Sequence, residues 1–144
     1  MATDPVKEFL IELQNAWSRG EVAGLARFYH PDVILLPPDL GPPLEGRQAV
    51  LDSYRDFLDV ARLISFEITE LEVFPFSHSG GATCMAHLHF SIRYELDGNS
   101  YDEEGLEIYT VLLTDAGPQI VWRSQTVLDS RLTEKIAPEP SAPR

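Results

Sequence analysis

The sequence predicts an α+β domain in which helices come first and an antiparallel sheet follows. Apolar residues recur with helical spacing as far as residue 62, and from residue 82 they alternate in period two. The hairpin signal Asp97-Gly98-Asn99 joins two such alternating runs, which makes those strands antiparallel neighbours.

The first helix opens at Asp4, a good N-cap, followed by Pro5, whose fixed φ suits the first helical position. Val6, Phe9, Leu10, Leu13 and Trp17 then share one face, and Gly20 ends the helix. A short second helix is predicted from Glu21 to Tyr29, with Val22, Leu25, Phe28 and Tyr29 facing inward. A short apolar strand follows, Val33 to Leu36. The third helix spans Arg47 to Arg62 and buries Val50, Leu51, Tyr54, Phe57, Leu58 and Ala61. Four strands complete the chain: Ile64–Phe76, Ala82–Leu96, Tyr101–Leu113 and Gln119–Ser130. Gly80-Gly81 and Asp115-Ala116-Gly117 supply the other two turns. On the strand from Ala82 the apolar face carries Cys84, Ala86, Leu88, Phe90, Ile92, Tyr94 and Leu96, while Met85, His87, His89 and Arg93 lie opposite.

A chain of 144 residues with 44% hydrophobic residues has room for one core. Its net charge of −12 opposes nucleic acid and anionic membrane surfaces, both of which need a basic face. The single cysteine, Cys84, leaves no internal disulfide and reads as a small core residue. No basic stretch followed by an apolar run opens the chain, so a cytoplasmic location is expected. There is no glycine-rich phosphate loop, Cys-x-x-Cys pair or serine-histidine-aspartate signature, and no cofactor is called for.

Residues 28–47 are the most distinctive. Phe28-Tyr29-His30-Pro31-Asp32-Val33 leads into Pro37-Pro38-Asp39-Leu40-Gly41-Pro42-Pro43 and then Leu44-Glu45-Gly46-Arg47. Five prolines in the thirteen residues from Pro31 to Pro43 make a rigid corner. Asp39 reads as a turn aspartate bonding its own backbone, and Arg47 as a structural residue at the helix start. With its surrounding elements, this segment resembles the superfamily of nuclear transport factor 2, ketosteroid isomerase and the SnoaL-like polyketide cyclases. The resemblance implies a cone-shaped fold, three N-terminal helices on a curved, mainly antiparallel mixed sheet, enclosing one apolar pocket. It covers a single domain, residues 1–132; residues 133–144, proline-rich and without core residues, read as a flexible tail.

Matched to the ketosteroid-isomerase pattern, the general-base aspartate falls on Pro37 and the oxyanion-hole tyrosine on Leu13. The oxyanion-hole carboxylic acid falls on Tyr109, and two supporting tyrosines are kept at Tyr29 and Tyr54. Proline accepts no proton, so that specific activity is not expected. The remaining acid–base candidate is Glu107 beside Tyr109, which by alternation share a face with Tyr101, Glu103 and Val111. Glu107 is then either a proton carrier in the pocket or a structural carboxylate. Trp17, Tyr29, Tyr54, Leu58, Phe90, Tyr94 and Trp122 are candidate pocket walls for an apolar small molecule; the alternative is that they fill the core.

His87 and His89 share a strand face, but spacing offers no third ligand, so no metal is expected. The resemblance points instead to a homodimer through the outer sheet face, with His87, His89, Arg93 and Arg123 on it. Three functions stay open: a small-molecule-binding domain, a SnoaL-type isomerase, cyclase, dehydratase or hydrolase using Glu107, or a non-catalytic dimeric association domain.

Overall fold

A computed structural model describes residues 4–78 and 81–135. Helix α1 (Pro5–Ser18) starts where Asp4 Oδ1 accepts the Val6 N–H at 2.9 Å. It stops at Gly20, whose φ of 80° is open only to glycine at low cost. There the Gly20 and Glu21 N–H groups return to the carbonyls of Trp17 and Ala16, at 2.9 and 3.0 Å, and satisfy the last turn.

The second helical segment, Ala23–Phe28, is a 3₁₀ turn and not an α-helix. Pro31 explains this: it pushes the residue before it into extended backbone and cannot continue a helix. Strand β1 (Tyr29–Leu36) therefore begins four residues before the predicted start at Val33. A two-residue strand β2 (Leu44–Glu45), not foreseen from sequence, pairs with it antiparallel. Gly46, at φ 93°, turns the chain into α2 (Arg47–Val60) and donates to the Val33 carbonyl at 2.8 Å. Helix α2 ends at Val60 because Ala61 is already paired with Leu96 in the sheet.

The remaining strands are β3 (Ala61–His78), β4 (Gly81–Leu96), β5 (Asn99–Thr114) and β6 (Gly117–Lys135). They form one six-stranded sheet in the order β2-β1-β6-β5-β4-β3, antiparallel throughout except for the parallel pair β1–β6. The hairpin β4–β5 turns on Asp97 and Gly98, both at positive φ. Gly80 of the predicted β3–β4 turn lies outside the described residues. Strand β6 continues through Lys135, so the segment read as a tail from residue 133 begins as strand; residues 136–144 lie outside the described residues.

The helices cover one face of this sheet. Val6, Leu10, Leu13 and Trp17 of α1 and Val50, Leu51 and Tyr54 of α2 are buried against Cys84 to Tyr94 of β4, Tyr109 and Val111 of β5 and Ile120 of β6. Cys84 is a buried free thiol, in the core as its strand parity predicts.

Strand β6 corrects the sequence reading. Val111 pairs with Ile120 but Thr110 pairs with Trp122, so Val121 is an extra residue, a bulge. The bulge reverses the parity beyond it. Trp122 turns to the outer face, 40% exposed, and is not a pocket wall. Arg123 turns inward, 6% exposed, and is not on the outer face. No helix among the described residues is long and apolar enough to cross a membrane.

Candidate functional site

Between the helices and the inner sheet face lies a partly open cavity of about 230 Å³. Its walls are Trp17 from α1, Tyr54 and Phe57 from α2, Phe66 from β3, and Phe90 and Tyr94 from β4. These rings brace one another. Trp17 meets Phe66 and Phe57 edge-on at 5.2 and 6.2 Å, Phe57 meets Tyr94 at 5.4 Å, and Phe66 stacks on Phe90 at 5.3 Å. Pro37, Pro38 and Leu44 of the proline corner also line the cavity. The corner's Asp39 does not: its Oδ1 accepts the Gly41 N–H at 2.8 Å, an exposed turn contact.

Glu107, Arg123 and Gln125 give this apolar cavity a polar side. Glu107 is 2% exposed, and its Oε1 accepts from Arg123 Nη2 at 2.9 Å. Its Oε2 accepts the Tyr109 hydroxyl proton. Arg123 Nη1 donates to the Tyr54 and Tyr29 hydroxyls at 2.8 and 3.3 Å, and Nη2 also reaches Gln125 at 3.2 Å. The two tyrosine hydroxyls lie 2.5 Å apart. Behind them Gln14 Nε2 donates to Tyr109 Oη at 3.0 Å, and Trp17 Nε1 donates to Gln14 Oε1 at 2.7 Å. One connected network thus runs from a cavity wall, Trp17, to the polar side. Among the described residues only Arg123 Nε is left buried without a partner.

Burial raises the Tyr54, Tyr109 and Tyr29 pKa values above the ordinary 10.0, the first two well above it. Desolvation is the largest single influence on Arg123 and acts against its cation, but Glu107, Tyr54, Tyr109 and Tyr29 together outweigh it, so the pKa ends well above its ordinary value and the guanidinium stays charged. Glu103, which also lines the cavity, accepts from Tyr94 Oη and Ser130 Oγ at 2.7 and 2.8 Å. Burial comes first among the causes that lift the Tyr94 pKa.

The model of the SnoaL-like domain family matches residues 10–121, which span α1 from Leu10 onward, the proline corner, α2, strands β1 to β5 and the start of β6. The chain belongs to the SnoaL-like domain family. No curated protein matches this SnoaL-like domain. Among solved structures it is similar to a ketosteroid isomerase-like protein from Erwinia carotovora atroseptica, with TM-score 0.71 and 12% identity over 87% of this chain and 95% of that one. An NTF2-like protein from Cytophaga hutchinsonii gives TM-score 0.69 and 15% identity over 85% and 95% of the two chains. ActVI-ORFA from Streptomyces coelicolor gives 0.67 and 13% over 86% and 95%. At such identities the likeness is one of fold.

The structure brings Trp17, Tyr54, Phe90, Tyr94 and Glu107 of this SnoaL-like domain to one cavity. Tyr29 and Tyr109 are fully buried behind it and reach the polar side through their hydroxyls. Leu58 is a correction: it lines a shallow groove with Val22 and Leu63 on another side of α2. Neighbouring helical residues point about 100° apart, and Phe57 takes the cavity position. Glu107 is also not the lone carboxyl among apolar walls, because a guanidinium and a hydroxyl occupy its two oxygens.

His87 and His89 are on the outer face, half-buried. Among the described residues no group of three His, Cys, Asp or Glu is placed to hold a metal. Sequence reasoning missed Arg123, Gln125, Gln14, Phe57 and Phe66 as site residues. Two signals were available. Ile120-Val121-Trp122 is a run of three apolar residues that breaks period two just before Arg123, and Gln14 sits four residues after Leu10 on the buried stripe of α1.

Proposed function

We propose that this SnoaL-like domain binds a small, flat, largely apolar molecule in the cavity, with one polar group turned toward Arg123 and Gln125. The observation that carries the reading is a cavity of about 230 Å³ walled by six aromatic rings, with the buried Glu107–Arg123 pair among its few polar groups. Apolar walls with a few placed polar groups are the usual make-up of ligand sites, and this volume lies under the ~300 Å³ at which drug-sized pockets begin. One or two fused rings suit it.

Binding is favoured over acid–base chemistry by the state of Glu107. Both its oxygens already accept from network donors, Tyr109 and Arg123, which supports a structural, anchoring role for this carboxylate. The isomerase chemistry named in one structural relative does not transfer, because Pro37 offers no base. The probe is 2-naphthol, titrated calorimetrically into the wild-type protein and the Glu107→Gln variant. Saturable binding to wild type is the expected result, and a folded wild type that takes up no 2-naphthol contradicts the reading. A binding module keeps most of its affinity in Glu107→Gln, whereas a SnoaL-type activity through Glu107 predicts that the variant loses turnover of any substrate found.

A second reading, compatible with the first, is a homodimer through the outer sheet face. It is supported by one cross-strand row, Phe74–Met85–Thr110–Trp122–Ile34, in which Phe74 is 45%, Met85 38% and Trp122 40% exposed. His87 and His89 flank that row, and Arg93 lies farther along the face, ion-paired to Asp102 at 2.7 Å. Light scattering of Trp122→Glu tests it: a shift from dimer to monomer is expected, and a wild-type monomer contradicts it.

A further inference from the structure

Gly105 lies on the inner face of β5, directly opposite Phe90 of β4. Its backbone does not ask for glycine, since it is absent from the positive-φ positions, Gly20, Gly46, Gly81, Gly98 and Gly117. What excludes a side chain is the Phe90 ring. A Cβ at residue 105 would stand 2.2 Å from Phe90 Cζ and 2.6 Å from Cε1, closer than real Cβ atoms come to anything. The ring therefore lies across the bare backbone of β5. In that position it stacks on Phe66 at 21° and 5.3 Å and forms part of the cavity wall.

A side chain at residue 105 would have to displace this ring, and the packing limits where it can go. Phe66 blocks the β3 side, and buried Leu88 and Ile92 flank Phe90 along β4. The unfilled direction is the cavity. We propose that Gly105 sets the size limit of the cavity: by lacking a side chain it lets Phe90 lie flat and keeps room for a planar ring against it. This rests on the reading of the cavity as a ligand site and narrows the ligand to planar molecules that stack on Phe90.

The test uses Gly105→Ala, Phe90→Leu and the double variant, each read in two ways. Xenon occupancy in pressurised crystals reports the space itself, and 2-naphthol calorimetry reports binding. Gly105→Ala is expected to lose the xenon site and weaken 2-naphthol at least about tenfold. Adding Phe90→Leu to it is expected to restore the xenon site, because the shorter side chain clears the Cβ, and to recover the part of the 2-naphthol affinity that does not come from stacking on the ring. If Gly105→Ala keeps xenon and 2-naphthol at wild-type levels, the proposal fails. It fails equally if the double variant folds but regains neither, since the loss then comes from β5 and not from the ring. Should Gly105→Ala not fold, Phe90→Leu alone decides: it must admit 4-phenylphenol better than wild type does, and an unchanged size limit overturns the proposal. Xenon in a wild-type cavity that ignores 2-naphthol would sink the ligand reading while leaving the steric role of Gly105 intact.

Discussion

Strand β5 keeps a strict alternation from Gly105 to Val111, with Gly105, Glu107, Tyr109 and Val111 all buried on one face. Its neighbour β6 does not: Ile120 and Arg123 are both buried, and the bulge at Val121 stands between them. One unpaired residue exchanges the fates of two side chains. Without it Trp122 would enter the cavity and Arg123 would face solvent; with it the cavity gains a cation opposite Glu107. A strand's parity is thus a statement about its pairing as well as its sequence. The parallel ladder β1–β6 has its own irregularity at the same place, between Tyr29↔Ile120 and Ile34↔Trp122, so the neighbours on both sides share the distortion.

The largest effect that follows separates residues 122 and 123. Arg123→Met leaves the Glu107 carboxylate buried beside hydroxyls alone, and urea unfolding is expected to show a loss of about 3–5 kcal/mol. Trp122→Thr, one residue away on the open face, should cost about 0.5 kcal/mol or less in the monomer. Equal losses would mean that the bulge is misplaced. Tyr109→Phe comes next. It removes the hydroxyl that bridges Gln14 and Glu107, and the two polar groups left behind predict a loss of about 1–3 kcal/mol by the same assay.

A smaller and graded effect appears with alkali. Burial holds the Tyr54 and Tyr109 pKa values well above 10.0 in the folded state. Below the unfolded value, about 10, both states keep the proton and this stabilisation is fully present. Above it the unfolded chain releases protons that the native state retains, so stability falls as pH rises toward the folded values. The expected slope is up to about 1.4 kcal/mol per pH unit for each tyrosine, measured by urea unfolding from pH 9 to 11. Tyr109→Phe should flatten it.

Much of the fold is legible in the residues themselves. The Asp4-Pro5 start, the apolar stripes of α1 and α2, the proline corner and the two-residue hairpin at Asp97-Gly98 are local signals, and the local chemistry is what forms them. The 3₁₀ character of the second helical segment is not legible in this way. Six residues carry too little periodicity, and Pro31 acts from two residues beyond Tyr29. The aromatic walls Trp17, Tyr54, Phe90 and Tyr94 follow from the same stripes and alternation. Arg123 does not, because its direction depends on a bulge fixed by two neighbouring strands at once. Leu58 fails for a different reason: a helix face broad enough to include both Phe57 and Leu58 does not say which of them meets the cavity.

The most direct test of the buried pair is a double-mutant cycle on Glu107 and Arg123, with unfolding of Glu107→Leu, Arg123→Met and the double variant compared in urea. In contact at 2.9 Å, the two should couple: removing both must cost less than the sum of the single losses by at least about 1 kcal/mol, because neither charge is then stranded. Strict additivity would contradict the account and return Arg123 to the outer face of the sheet.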